Sequence, residues 1–370
     1  MPASRRRLLM RRALWRVTAV AALAAAWLVA AGVRALAAGA PASPAGIEFG
    51  TARSAPGKKT RGQIEIGERP DGSPFRLPVV IVSGRKPGPV VWINALAHGD
   101  EYGGARALQE VVRRLDPETI AGHVVAVMIS NPPAFQDRHR VNLDPDDIID
   151  MGSAYPGDSG GFETERIVAA LLERVRAQAD YFVDLHTGGD RFKQQPFVLY
   201  TPNKGVPEAR YDDLARAFGI ATLWRDAAGT FKRDGIITLS TSGIPSFLLE
   251  VGGSPLDPAD VRIQADAVMS FLAAAGVMQG APRRLPSYTI VTGYLVVTNG
   301  RGGFFDAAVR PGARVRGGDA LGTISDPFGD VVETVRAPAG AEIVLGVATY
   351  PSFSTGGWVA EVGTGLKESP

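Results

Sequence analysis

The chain has no cysteine. That absence excludes disulfides, thiolate nucleophiles and thiolate metal ligands, so any metal centre must be built from imidazoles and carboxylates. Charge of one sign is also lacking: 40 basic residues face 38 acidic ones, a formal net charge of +2. Much of the basic excess sits in Arg5, Arg6, Arg7, Arg11, Arg12 and Arg16. The remainder is near neutral or slightly acidic, which excludes a basic nucleic-acid surface. Long apolar runs are scarce as well. Residues 17–33 are uncharged, but eight of these 17 residues are alanine and one is glycine, which is short and weakly apolar against the roughly 20 residues of a stable membrane span.

What is present at the amino terminus is a basic region, an apolar region and the small-x-small sequence Ala35-Leu36-Ala37, in the order of an export signal. The run Ser4-Arg5-Arg6-Arg7-Leu8-Leu9-Met10 also looks like a twin-arginine signal, a route that carries folded proteins. Residues 1–37 are therefore expected to direct the chain to the periplasm or outside the cell, by the twin-arginine or general route. An uncleaved signal would serve as the only membrane anchor. Residues 38–61, rich in Ala, Pro, Gly and Ser, read as a flexible tether. With 370 residues and 45% hydrophobic content, the rest is long enough for two domains.

Val90, Val91, Trp92 and Ile93, behind Pro87-Gly88-Pro89, read as a strand buried on both faces. The apolar run stops at His98 and Glu101, three apart in a Gly-flanked loop where an imidazole and a carboxylate can converge on one cation. Residues 103–115 carry Ala107, Leu108, Val111, Val112 and Leu115 on one side, which predicts a helix. Residues 123–129 form the next strand, completing a parallel βαβ unit that places ligands at the carboxyl ends of its strands. The polar stretch 131–161 is long enough to predict a functional loop. An amphipathic helix over 162–179 leads to a strand at 181–185 that ends on His186 and a Gly-Gly turn, and a later apolar strand at 244–251 carries Glu250. A carboxylate on so apolar a strand is costly unless it belongs to a site.

From Pro286 the texture changes to short Val-, Thr- and Gly-rich runs, an all-β unit resembling the barrel-sandwich fold of biotinyl and lipoyl domains. No lysine lies between Pro282 and Gly365, which argues against a carrier role.

His98, Glu101, His186 and Glu250 thus fall at or near the carboxyl ends of predicted strands, one edge of one sheet. Three of the four would make a two-His, one-carboxylate zinc site with a fourth position open to water. Zinc lowers the pKa of bound water to about 7, and a free carboxylate alongside can take its proton. Glu250 is placed for that role. His123 opens a strand and reads as structural; His139, between Arg138 and Arg140, reads as a solvated loop residue.

His98-Gly99-Asp100-Glu101, Asn131-Pro132-Pro133-Ala134-Phe135 with Arg140, Asp184-Leu185-His186, and Glu250-Val251-Gly252 resemble, in this order, the succinylglutamate desuccinylase/aspartoacylase family of the zinc carboxypeptidase superfamily. The resemblance implies one zinc on His98, Glu101 and His186, with Glu250 as general base and Arg140 polarising the scissile carbonyl. It also implies an α/β fold: a zinc-carboxypeptidase-like mixed sheet flanked by helices over 62–282, then a small all-β domain over 283–370 that narrows access to the site. The expected activity is deacylation, hydrolysis of an amide in a small N-acylated amino acid or amine. A metallocarboxypeptidase acting on peptides and a non-catalytic zinc- or ligand-binding protein are the alternatives. Asn131 is a candidate substrate-binding residue, and Asp184 a candidate partner for a ligand histidine's second nitrogen. Family members usually carry an Asn-Arg pair for the substrate carboxylate, where this chain has Gly152-Ser153. Arg191 is the candidate to replace that arginine.

Overall fold

A computed structural model describes residues 46–202, 205–227, 229–230 and 234–370. The expected export signal lies outside the described residues. Among those described, no helix is long and apolar enough to cross a membrane.

Thirteen strands share one mixed sheet. Its main path runs Gly293–Thr298, Trp358–Thr364, Ile343–Ala348, Phe192–Tyr200, Ser246–Gly253, Tyr181–His186, Lys86–Ala95, Ala121–Val127, Pro74–Ser83 and Lys58–Glu68. The four consecutive strands from Ser246–Gly253 to Ala121–Val127 are mutually parallel. Trp92, Ile93, Val125, Val183 and Leu249 are almost fully buried in them, which is why these strands read as continuous apolar runs.

Helices cover both faces of the sheet. Tyr102–Arg114 and Pro258–Ala274 pack on one side with Leu108, Val111, Val268 and Phe271. Glu163–Gln178 and Gly235–Thr241 cover the other with Ile167, Leu171 and Leu239. Asp147 fastens the long 131–161 segment to the Glu163–Gln178 helix: its Oδ2 accepts from the Thr164 N–H at 2.8 Å, the Thr164 hydroxyl at 2.9 Å and Asn142 Nδ2 at 2.9 Å.

Two expectations about segment boundaries change. The flexible tether over 38–61 does not hold for residues 46–61, because Ile47 and Phe49 are fully buried and the Phe49 ring meets the Trp92 ring edge-on at 5.5 Å. Two apolar anchors in a small-residue stretch are enough to fix it to the core, and the Lys58–Glu68 strand starts four residues ahead of Gly62. A β-carbon on Gly62 would lie 2.2 Å from the Ala52 nitrogen, so the absent side chain is what lets the two segments approach.

The carboxy-terminal region forms its own four-stranded sheet from Gly303–Ala307, Ala320–Ser325, Val331–Arg336 and Ser352–Phe353. Its apolar cluster includes Phe305, Leu321, Val344 and Val359. It is also stitched into the main sheet, where Gly346 of the Ile343–Ala348 strand pairs with Gln194. Position 283 therefore marks a change of texture without a break in the sheet.

Candidate metal centre and active site

Strand register builds one edge of the site. Ala95 pairs with Leu185, Leu185 with Leu249, and His186 with Glu250, so the segment carrying His98 and Glu101 leaves the sheet at the level where the Tyr181–His186 strand ends beside Glu250. Between Ala95 and His98 the chain turns through Leu96, which holds φ +58° while 1% exposed. Leu96 O accepts from Asn131 N at 3.0 Å and Ala95 O from Ser130 N at 2.9 Å, which secures that strained turn. A β-carbon on Gly99 would fall 2.0 Å from the Ala134 carbonyl, so only glycine fits there.

Glu101 lies between the two histidines. Its Oε1 is 2.6 Å from His98 Nδ1 and its Oε2 3.0 Å from His186 Nδ1. Oε2 also accepts the Thr187 N–H at 3.0 Å. The ligand atoms of His98, Glu101 and His186 lie within 4.8 Å of one another, and all three residues are buried. Each imidazole's other nitrogen faces a carboxylate. His98 Nε2 is 3.2 Å from Asp150 Oδ1, and His186 Nε2 is 3.5 Å from Asp184 Oδ2. Carboxylates in these positions fix the orientation of a ligand histidine and raise its basicity.

The electrostatics of the cluster suit a cation. Burial alone would raise the pKa of Glu101, but His98 and His186 outweigh it and hold the carboxylate well below its ordinary value. Burial would lower His186; Glu101 and Asp184 outweigh that and push it well up. His98 is raised in the same sense, with burial and Arg140 opposing and Glu101 and Asp150 prevailing. The field here therefore favours positive charge, and a metal ion would replace the protons these groups share. The residues present fit a metal ion bound by two imidazoles and one carboxylate.

Arg140 reaches the cluster from the long loop. Its Nε is 2.8 Å from Asp150 Oδ2 and its Nη1 3.4 Å from Glu101 Oε1, while the side chain stays 47% exposed. Glu250 is partly buried. Burial and the nearby Glu101 push its pKa well up, and His186 opposes them.

A family comparison fits this geometry. The succinylglutamate desuccinylase/aspartoacylase catalytic domain matches residues 87–275, just over half of the chain. The chain belongs to this family. A curated family relative, the N-alpha-acetyl-L-2,4-diaminobutyric acid deacetylase of Halomonas elongata, is 30% identical over 214 residues, covering 55% of this chain and 59% of the relative. The chain thus spans less than two thirds of that relative's length. Among solved structures, a succinylglutamate desuccinylase/aspartoacylase from Rhodobacter sphaeroides superposes with a TM-score of 0.72 at 24% identity, covering 85% of this chain and 95% of that one. The product-bound ectoine utilization protein EutE (DoeB) from Ruegeria pomeroyi gives 0.73 at 22% identity, covering 88% and 100%. These two likenesses establish the fold.

Against this family frame, the site residues expected from sequence separate into two groups. His98, Glu101, His186, Asp184, Arg140 and Glu250 come together as described. Asn131 is fully buried and its side chain is engaged within the fold. Its Oδ1 accepts from Ala134 N at 3.3 Å as a helix cap, and its Nδ2 donates to Ala97 O at 3.2 Å. Arg191 makes no side-chain contact with the cluster among the described residues. It is exposed, its side chain has no hydrogen bond or ion pair among the described residues, and its carbonyl accepts from Thr349 N at 2.8 Å.

Sequence reading missed three carboxylates at the site. Asp150 sits 52 residues from the histidine it faces, and no spacing rule reveals such a pair. Asp234 precedes the Gly235–Thr241 helix as its cap, and an Asp-Gly before an apolar pair was a usable signal. Glu361 arrives from the carboxy-terminal strands, accepting from Gln194 Nε2 at 2.8 Å, and burial raises its pKa against the Gln194 and Tyr294 hydrogen bonds.

Proposed function

We propose that this chain is a zinc-dependent hydrolase that removes the acyl group from the nitrogen of a small amino acid or amine. The observation that carries the reading is the convergence of His98 and His186 on the two oxygens of Glu101, with Glu250 beside His186 on the neighbouring strand. His98, Glu101 and His186 would hold the zinc. Bound there, zinc supplies Lewis-acid activation of water and of the acyl carbonyl. Glu250 accepts the proton of the attacking water and returns it to the leaving nitrogen; the burial that raises its pKa suits it to both steps. Arg140, held by Asp150 with its guanidinium still half exposed, faces the carbonyl oxygen as negative charge develops there. Asp150 and Asp184 keep the imidazoles turned toward the metal.

The substrate named for the Halomonas relative makes Nα-acetyl-L-2,4-diaminobutyrate the first compound to test, beside N-acetyl and N-succinyl amino acids and short peptides. The zinc-loaded protein is expected to hydrolyse at least one N-acyl amino acid, and chelation should abolish turnover. Cleavage confined to peptides would favour a metallocarboxypeptidase instead. The proposal extends to location: the six arginines, the uncharged stretch 17–33 and Ala35-Leu36-Ala37 support export. Protein isolated from its native host should then begin near Ala38, whereas an intact Met1 chain in the membrane fraction would indicate an anchor.

A further inference from the structure

One polar side chain stands in the apolar face that the Pro258–Ala274 helix turns to the sheet. Gln264 is 1% exposed, and Val268 and Phe271, one and two turns along the helix, are fully buried. An amide in such a place costs free energy unless its donors are matched. Both hydrogens of Nε2 have an acceptor: the His186 carbonyl at 2.9 Å and the Leu249 carbonyl at 3.3 Å.

These two carbonyls lie on adjacent parallel strands at their last paired positions. Leu249 pairs with Leu185 and Glu250 with His186, and the Tyr181–His186 strand ends there. The His186 carbonyl and the Thr187 N–H are the two ends of one peptide plane. Gln264 holds the carbonyl end, while the N–H end donates to Glu101 Oε2 at 3.0 Å. The Leu249 carbonyl belongs to the peptide that leads into Glu250. A single amide thus fixes the peptide that follows one imidazole of the cluster and the peptide that precedes the neighbouring carboxylate. A hydrogen bond to a carbonyl also polarises the N–H of the same peptide, so the Gln264 contact strengthens the bond from Thr187 to Glu101.

We propose that Gln264 is a positioning residue for the metal centre. It acts on Glu101 through the His186–Thr187 peptide and on Glu250 through the Leu249–Glu250 peptide. The proposal rests on the zinc reading above. Without the amide, two buried carbonyls lose a donor, and rotation of the His186–Thr187 plane withdraws the N–H that orients Glu101. The three ligands remain but are held less firmly, which lowers their affinity for the ion.

The test combines chelator-competition titration with zinc and amide hydrogen exchange of the metal-free protein, in the wild type, Gln264→Met and Val268→Ala. Methionine keeps the length of glutamine without its donors. Val268→Ala opens a core defect one turn along the same helix and removes neither hydrogen bond, so it is the control for lost stability. Gln264→Met should raise the zinc Kd by about tenfold or more. It should also speed exchange of the Thr187 amide by about tenfold relative to Val183 on the same strand. Val268→Ala should lower the thermal midpoint and leave both readings unchanged. Gln264→Asn, which keeps the amide but withdraws it by one methylene, should weaken zinc in the same direction and serves if the methionine variant does not fold.

Unchanged zinc affinity in the Gln264 variants overturns the assignment, and so does an equal loss in Val268→Ala. The exchange measurement needs no metal and separates this idea from the zinc reading. If the wild type binds no zinc while Thr187 exchange still depends on Gln264, the zinc reading fails and the hold on the Thr187–Glu101 bond stands. If zinc binds but Thr187 exchange ignores Gln264, the positioning role fails and the zinc reading stands.

Discussion

On one side of the site, His186 and Glu250 pair across adjacent parallel strands, and His98 and Glu101 follow the end of the next strand in a turn tied down through Ala95 O and Leu96 O. On the other side, Arg140, Asp150, Gly152 and Asp234 come from loops and a helix end held by side-chain hydrogen bonds. His186 and Glu250 are held rigidly because shifting either would require slipping a strand within a closely packed sheet. The second can be rebuilt by changing a few loop residues without disturbing the core. The proposed chemistry thus falls on the parallel strands and the turn that follows one of them. The Glu361–Gln194 contact adds a third contribution, in which the carboxy-terminal strands bring a partly buried acid toward the same centre.

This contrast can be broken experimentally, starting at the strand edge. His98→Ala and His186→Ala should each lose the zinc and with it essentially all turnover; if both variants retain one zinc per chain by metal analysis, the edge does not bind metal. Glu250→Gln should keep the metal and lose about 10² to 10⁴ in kcat, the usual contribution of a general base. Near wild-type turnover would move the base elsewhere.

The loop wall should respond more mildly. Asp150→Asn weakens the hold on both His98 and Arg140, so zinc affinity or activity should fall by about 10- to 100-fold. Competition titration with a chelator reads that loss directly, and an unchanged affinity would leave Asp150 as a partner of Arg140 alone. Arg191→Ala should do least. An exposed side chain with no partner among the described residues is expected to change stability by no more than about 0.5 kcal/mol and to leave KM for an N-acyl amino acid unaltered. A tenfold rise in KM would restore Arg191 as a carboxylate anchor.

The strand-end residues were legible because apolar runs ending on His98, His186 and near Glu250 announce themselves in a linear reading. The loop residues were less so. Asn131 was visible as part of a motif, but only its two hydrogen bonds, to Ala97 O and from Ala134 N, reveal that it holds the turn. Ile47 and Phe49 were hidden by the Ala, Pro and Gly around them; composition averages over a window, whereas burial depends on single side chains finding a place in the core.

By itself the sequence determined the chemistry available: without cysteine a metal site had to come from imidazole and carboxylate, and the order of apolar runs and polar stops fixed which residues lie at the carboxyl edge of a parallel sheet. Only the tertiary structure decided which carboxylates face which imidazole nitrogens. It also decided that Asp234 caps the Gly235–Thr241 helix. The physical reason is range. Strand and helix periodicity act between residues a few positions apart, whereas Asp150 and His98, or Glu361 and Gln194, meet only after loops and a distant strand have been packed against the core.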